Sequence, residues 1–186
     1  MPNPLARQVA GAHSGAMTWE LVGLAEVDPD QALAAQSELA PDGFAFLPFH
    51  AAGEAWPAYV ARVLPMSRGV GLPPGYVPWT DLYGVVEGVL VGRVSVRHRL
   101  TPALAREGGH IGYGVRPAHR RRGYATAFLR AGLGVAARLG IERALVTCDD
   151  TNIGSATVIE RCGGVLEDVV ASPGGAPKRR YWVATG

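Results

Sequence analysis

"RPAHRRRGYATAFLRAG" (residues 116–132) runs three arginines, Arg120 to Arg122, straight into Gly123 and then into a helical pattern. A helix start usually carries Ser, Thr, Asp or Asn, whose side chain accepts one of the orphan backbone N–H groups. None is present here. Uncapped N–H groups at a helix start carry about half a unit of positive charge and form a seat for an anion, most often phosphate. Gly123 lets the anion approach with no Cβ in the way, and arginines add forked donors. A ligand would then be the cap; the plainer alternative is a set of solvated arginines. The spacing Arg120, Gly123, Ala125 fits R-x-x-G-x-A. It is neither a P-loop, which needs G-K-[ST], nor the G-x-G-x-x-G of a dinucleotide fold.

Outward from this turn the pattern alternates strands and helices. "GHIGYGV" (109–115) reads as a glycine-rich strand, closely approached by something. The helix from Gly123 to Leu139 carries a stripe of Tyr124, Phe128, Ala131, Val135 and Leu139, and Gly140 stops it. "RALVTC" (143–148) is a continuous apolar strand, suited to a sheet covered on both faces. Residues 109–148 therefore form a βαβ unit with a parallel central pair. A short helix follows at 152–162, then "VLEDVV" and "RRYWVA" as a terminal strand pair.

Upstream, 17–24 reads as a strand, and 28–40 and 54–67 as helices, the second with Pro57 in its first turn. Residues 68–80 are rich in glycine and proline and read as a loop. "DLYGVV", Glu87-Gly88 and "VLVGRVSVRHRL" form a hairpin on a two-residue turn. Alternation puts Leu90, Val94, Val96 and Leu100 on one face, and Arg93, Ser95, Arg97 and Arg99 on the other. Residues 1–16 show no period and read as a tail or arm, leaving 17–186 as a single domain.

The composition of the 186 residues narrows the function. Net charge is only +2, too small for general nucleic-acid binding. Nothing approaches the ~18 apolar residues of a membrane span, so no membrane partner is expected. Cys148 and Cys162 lack metal-ligand spacing, so no metal site is expected and the thiols read as reduced, in a cytoplasmic protein.

Over about residues 81–184 the sequence resembles the GNAT superfamily of acyl-CoA-dependent N-acetyltransferases, most closely in "HIGYGVRPAHRRRGYATAFL" and "DDTNIGSATVIERCGGVLEDVV". Within it, "RHRL", "GGHIGYGVRP" and "KRRYWV" look like a bacterial subgroup of predicted acetyltransferases. The resemblance implies an α/β (α+β) fold: a mixed, mostly antiparallel sheet whose parallel βαβ core splays to hold acyl-CoA. It implies acetyl transfer from acetyl-CoA to a primary amine of a small molecule or a peptide, without a metal. Homodimers are common in the family, and the resemblance leaves one open here.

Residue by residue, it implies that the backbone of Arg121, Gly123, Tyr124, Ala125 and Thr126 holds the coenzyme A diphosphate, with side-chain charge from Arg120 and Arg122. Val115 and Arg116 take the positions of a bulge that faces the pantetheine arm. Asn152 and Ser155 match an Asn-x-x-Ser pair at the next helix start; Asn152 is equally readable as a plain N-cap. The family's usual proton donor, a tyrosine seven residues after that asparagine, is here Ile159. Solvent, Tyr113 or Tyr181 are the substitutes to weigh. Ile159 also favours an alternative, a catalytically silent acyl-CoA-binding regulatory module.

For a general base, His110 and Glu107 lie on or just before the glycine-rich strand, and His110 suits the task by its ordinary pKa of ~6.5. His98 reads rather as a satisfied core histidine. Tyr76 and Trp79 either border an acceptor pocket or anchor their loop. Asp149-Asp150 either attract a cationic amine or simply begin a helix. Trp182 reads as core.

Overall fold

Glu87 and Gly88 both take positive φ, 50° and 79°. Two such residues twist a tight turn in the sense strands need, so the hairpin closes as the sequence predicts. In a computed structural model, the backbone of residues 8–9 and the whole of residues 19–173 and 175–186 are described. The expectation of a tail over residues 1–16 otherwise lies outside the described residues.

Among the described residues eight strands form one sheet: β1 (Gln8–Val9), β2 (Trp19–Val22), β3 (Trp79–Val86), β4 (Val89–Arg97), β5 (Ile111–Val115), β6 (Arg143–Asp149), β7 (Val165–Val170) and β8 (Lys178–Ala184). Their order is β1-β2-β3-β4-β5-β6-β8-β7. Among the described residues only the β5–β6 neighbours are parallel. The mixed, mostly antiparallel sheet with a parallel centre is the fold expected.

Helices α1 (Pro29–Leu39) and α2 (Trp56–Ser67) cover one face, where Ala32, Ala35, Leu39, Tyr59 and Val63 pack on Tyr83 and Leu90. On the other face lie α4 (Tyr124–Arg138) and α5 (Ile153–Arg161), with Phe128, Leu129, Val135, Ala156 and Ile159 on Val94, Ile111, Val146 and Tyr181. Between β4 and β5 the chain makes α3 (Pro102–Arg106), one turn capped by the Thr101 hydroxyl, which no periodicity announces. No helix among the described residues is long and apolar enough to cross a membrane.

Phe128 shows how the α4 stripe meets the sheet. Gly84 and Gly92 pair across β3 and β4, and a Cβ on either would lie 2.6 or 2.8 Å from the Phe128 ring. The two glycines make a hollow and the phenyl fills it, with the Trp19 ring edge-on at 5.7 Å.

Four expectations change. Val91 is an extra residue opposite a single step of β3, since Gly84 pairs with Gly92 and Val85 with Leu90. This bulge reverses the alternation, so Leu90 turns to the α1/α2 face while Val94 and Val96 keep the other. β4 ends at Arg97, so Leu100 lies beyond it, and β3 already begins at Trp79 inside the expected loop. Trp182 is half-buried, its ring facing His110 and covered by the Arg143 guanidinium, and is not core.

The hollow yields a prediction. In Gly92→Ala the new Cβ would sit 2.3 Å from the Gly114 carbonyl oxygen as well as against Phe128. Backbone cannot move aside cheaply, so we expect a loss of about 3 kcal/mol, read as a lowered urea midpoint at unchanged slope.

Candidate active site

The turn between β5 and α4 is built as its residue types dictate. Arg121 (φ 59°) and Gly123 (φ 86°) both take left-handed backbone, and Gly123 is the N-cap with no side chain capping the helix. The first α4 carbonyl acceptor is used by Ala127, whose N–H donates to Gly123 at 3.1 Å. Among the described residues no group accepts from the N–H of Arg121, Arg122, Gly123, Tyr124, Ala125 or Thr126. Six consecutive donors at the positive end of a fifteen-residue helix make an anion seat. A Cβ at Gly123 would meet nothing within 4 Å, so the space in front of the turn is open.

The arginines divide. Arg121 and Arg122 are exposed and make no salt bridge among the described residues. Arg120, expected to supply charge to the ligand, folds back instead: its Nε donates to the Val115 carbonyl at 3.1 Å and its Nη2 pairs with Asp42. Arg116 also leaves the expected set. Its N–H donates to Val91, its carbonyl accepts from His119, and its guanidinium clasps Glu38 at 2.6 Å.

Beside the turn the sheet parts. β5 and β6 share a single bridged pair, Ile111 with Val146. Across β4 and β5 the bonds Arg97 N–H to His110 O and Arg116 N–H to Val91 O fix the alternation. Residues 110, 112, 114 and 116 turn their carbonyls toward β4, and 111, 113 and 115 face β6. Past Ile111 the N–H groups of Tyr113 and Val115 therefore look into a slot that β6 no longer fills.

The candidate bases fare differently. His110 is buried at the closed end of the strand pair, where its Nδ1 accepts the Leu145 N–H at 2.9 Å and its own N–H donates to the Leu145 carbonyl at 2.7 Å. Burial first, then the Arg97 charge, lowers its pKa below the usual value. The lone pair a base needs is committed to the sheet, so His110 is a pin between strands. Glu107 accepts from the Ser172 hydroxyl at 3.0 Å, on the segment that follows edge strand β7, and does not reach the slot. His98 bonds Thr80 through Nε2 at 2.9 Å, as a satisfied histidine should. Asp149 and Asp150 are paired with Lys178 and Arg179 of β8.

At the start of α5 the Asn152 Oδ1 accepts the Ser155 N–H at 3.0 Å, so it is an N-cap that keeps its amide nitrogen available. Ser155 Oγ lies 2.9 Å from Tyr113 Oη, which brings β5 and α5 together over the slot. Ile159 is fully buried in the core, and Tyr181 donates to Glu160, on the far side of α5 from Ser155.

The opposite face of the slot holds residues that sequence reasoning passed over. Gly112 and Gly114 leave β5 bare there; the Phe44 ring packs where a Gly114 Cβ would stand, and the Arg97 guanidinium covers Gly112. Phe44 is held by Arg93, a buried cation that donates to the carbonyls of Phe46 (2.7 Å) and Ala45 (2.9 Å), faces Asp81 at 3.7 Å and lies over the Phe44 ring. The only available signals were the G-x-G of β5 and an arginine inside a strand. Trp79 is the first residue of β3, buried in the α1/α2 core with its ring N–H donating to Asp81 of the same strand at 2.7 Å, whereas Tyr76 is 54% exposed against Phe49.

Residues 73–165, half of the chain, match the family model of the acetyltransferase (GNAT) domain. A search of curated proteins by sequence found no match. The fold is similar to that of the Salmonella typhimurium acetyl transferase that modifies the N-terminal serine of the 50S ribosomal subunit protein L7/L12. Identity is 19% and the TM-score 0.59, with 91% of this chain and 96% of that one covered. Mycobacterium smegmatis RimJ, in complex with CoA-disulfide, gives 19% identity and a TM-score of 0.60 over 90% of this chain and 82% of that one. YncA of Salmonella typhimurium, solved with acetyl-CoA, gives 14% and 0.59 over 92% and 95%. At these identities the likeness is one of fold.

The His110 pin carries a pH dependence. Its folded pKa lies below the unfolded value near 6.5, so in the interval between them the unfolded chain binds more protons. Stability therefore falls as pH drops through about 6.5 and levels off once the folded value is passed. Gln at this position can still accept the Leu145 N–H but does not titrate. Urea titrations from pH 7.5 to 5 should give a shallower slope of stability against pH in His110→Gln. The slope that remains comes from His98 and His119, whose pKa values are also lowered. Equal slopes would remove His110 from this account.

Proposed function

This chain belongs to the GNAT acetyltransferase family, and on that premise we propose that it transfers the acetyl group of acetyl-CoA directly to a primary amine of a small molecule or a peptide. The observation that carries the reading is the run of unpartnered N–H groups at residues 121–126, contiguous with a slot lined by the backbone of Tyr113 and Val115. A dianionic diphosphate on the turn neutralises the helix end, with Arg121 and Arg122 adding side-chain charge. The amide-bearing pantetheine arm pairs with the exposed edge of β5 and with the Asn152 amide.

The thioester carbonyl then lies within reach of the Val115 N–H, a fixed donor for the oxyanion that forms as the amine attacks. The glycine face of β5, walled by Phe44 and Arg97, leaves backbone bare toward the acceptor. N-terminal peptide amines are the first acceptors to try, since one similar structure is an enzyme that modifies an N-terminal serine. Residues 17–186 act in this reading as one acetyltransferase domain.

A second reading, an acyl-CoA-binding module without catalysis, is favoured by the burial of Ile159 where relatives carry a proton donor. Incubation with acetyl-CoA and a pool of N-terminal peptides and small primary amines separates the two. Transfer predicts free thiol in a trap assay and a product heavier by one acetyl group; the silent module predicts binding alone.

For the cradle itself, Gly123→Asp places a carboxylate in the diphosphate seat while its Cβ meets open space. Calorimetry should show acetyl-CoA affinity weakened by roughly 100-fold or more, about 2.7 kcal/mol, in a variant that still folds but melts somewhat lower because Asp is strained at φ 86°. Unchanged affinity would refute the cradle.

A further inference from the structure

The slot has a closed end, and its position along β5 locates the reaction. An arm that enters from residues 121–126 runs back along β5 as far as Val115, in a slot that Ile111 and Val146 close two steps past Tyr113. Tyr113 is the last slot-facing residue before that closure. Its ring spans the gap on the α4/α5 face, and its hydroxyl meets Ser155 in the first turn of α5 at 2.9 Å. A thioester whose carbonyl meets the Val115 N–H would have its sulfur on the side of this hydroxyl pair.

The Cys148 thiol borders Ser155, and the other candidate donors are apolar or already bonded. Ile159 offers only hydrocarbon, and its side chain and backbone press on Gly164 so closely that a Cβ at Gly164 would lie 2.5 Å from its Cγ2. Tyr181 is committed to Glu160. His110 is committed to Leu145.

Building on the acetyltransferase reading above, we propose that the Tyr113–Ser155 hydroxyl pair returns a proton to the departing coenzyme A sulfur. The amine nitrogen bonds to the thioester carbon, the carbon–sulfur bond breaks, and the sulfur keeps the electron pair. Tyr113 gives that sulfur its hydroxyl proton and takes the proton of Ser155. Ser155 is restored through solvent by the proton the nitrogen sheds. Both hydroxyls end as they began, and no reactant beyond the two substrates is consumed.

A relay of this kind needs Tyr113 protonated throughout. Burial pushes its pKa up to about 12, against a smaller downward pull from the Ser155 bond. The titratable groups facing it are Cys148 of β6 and Cys162 at the end of α5, and burial raises both thiols, which keeps them neutral. The charge next to the leaving sulfur thus stays constant across the working pH range.

The test uses Tyr113→Phe and Ser155→Ala in the intact chain, with thiol release followed from acetyl-CoA and the peptide and amine pool described above. Each variant should lose about 100-fold in kcat, the low end for a general acid, while acetyl-CoA affinity by calorimetry changes less than threefold. Deprived of the relay, Tyr113→Phe must draw its proton from solvent. Its log kcat should then fall with rising pH between about 7 and 9, relative to the unmodified protein. Ser155→Ala keeps the ring in place, so it answers even where loss of the phenol hydroxyl perturbs folding. If the unmodified protein works and both variants keep kcat within threefold, the relay is overturned and the acetyltransferase reading stands. If the unmodified protein binds acetyl-CoA and releases no thiol with any acceptor, both fall together.

Discussion

One constraint governs the site: β5 and β6 can be joined at Ile111 and Val146 and nowhere beyond. The join is reinforced from beneath by His110, whose ring and backbone together take both polar groups of Leu145. Above it, the chain leaves β5 through a turn of left-handed residues and begins α4 uncapped. Two unsatisfied surfaces result, a strand edge and a helix start. A ligand with an amide-bearing arm and a diphosphate has the chemistry to satisfy both.

The two faces of the sheet divide the remaining work. On the α4/α5 side, Phe128 locks the long helix into the hollow at Gly84 and Gly92, so the anion turn is mounted on a rigid element. On the α1/α2 side, Arg93 is a charge buried for the sake of position. It holds the carbonyls of Ala45 and Phe46 and so keeps the Phe44 ring against Gly114. Asp42, from the same connection, reaches Arg120 at the edge of the anion turn. One segment, residues 42–46, thereby touches both the uncapped turn and the opposite wall.

Much of this was legible in the chain. The stripe of α4, the Glu87-Gly88 turn, the βαβ order and the missing cap before Tyr124 are local or periodic properties, and the structure keeps them all. The failures have local causes too. One extra residue, Val91, turned Leu90 to the wrong face in the reading, because alternation cannot anticipate a bulge that depends on the facing strand. Arg120 and Arg116 were credited to the ligand by position in the motif, but their partners, Asp42, Glu38 and two backbone carbonyls, come from remote segments or from the turn's own geometry.

Sequence alone determined that a helix begins bare after three arginines, because a cap is a property of neighbouring residues. It also determined that position 159 carries no hydroxyl. Only the tertiary structure decided which hydroxyls meet: a strand tyrosine and a helix serine, 42 positions apart, touch across a gap that exists because two strands diverge. The same holds for His110, whose suitability as a base was a matter of residue type, while its role was set by the Leu145 N–H it accepts. Hydrogen-bond partners across a sheet follow from register and splay, and neither is written in the local pattern of any one strand.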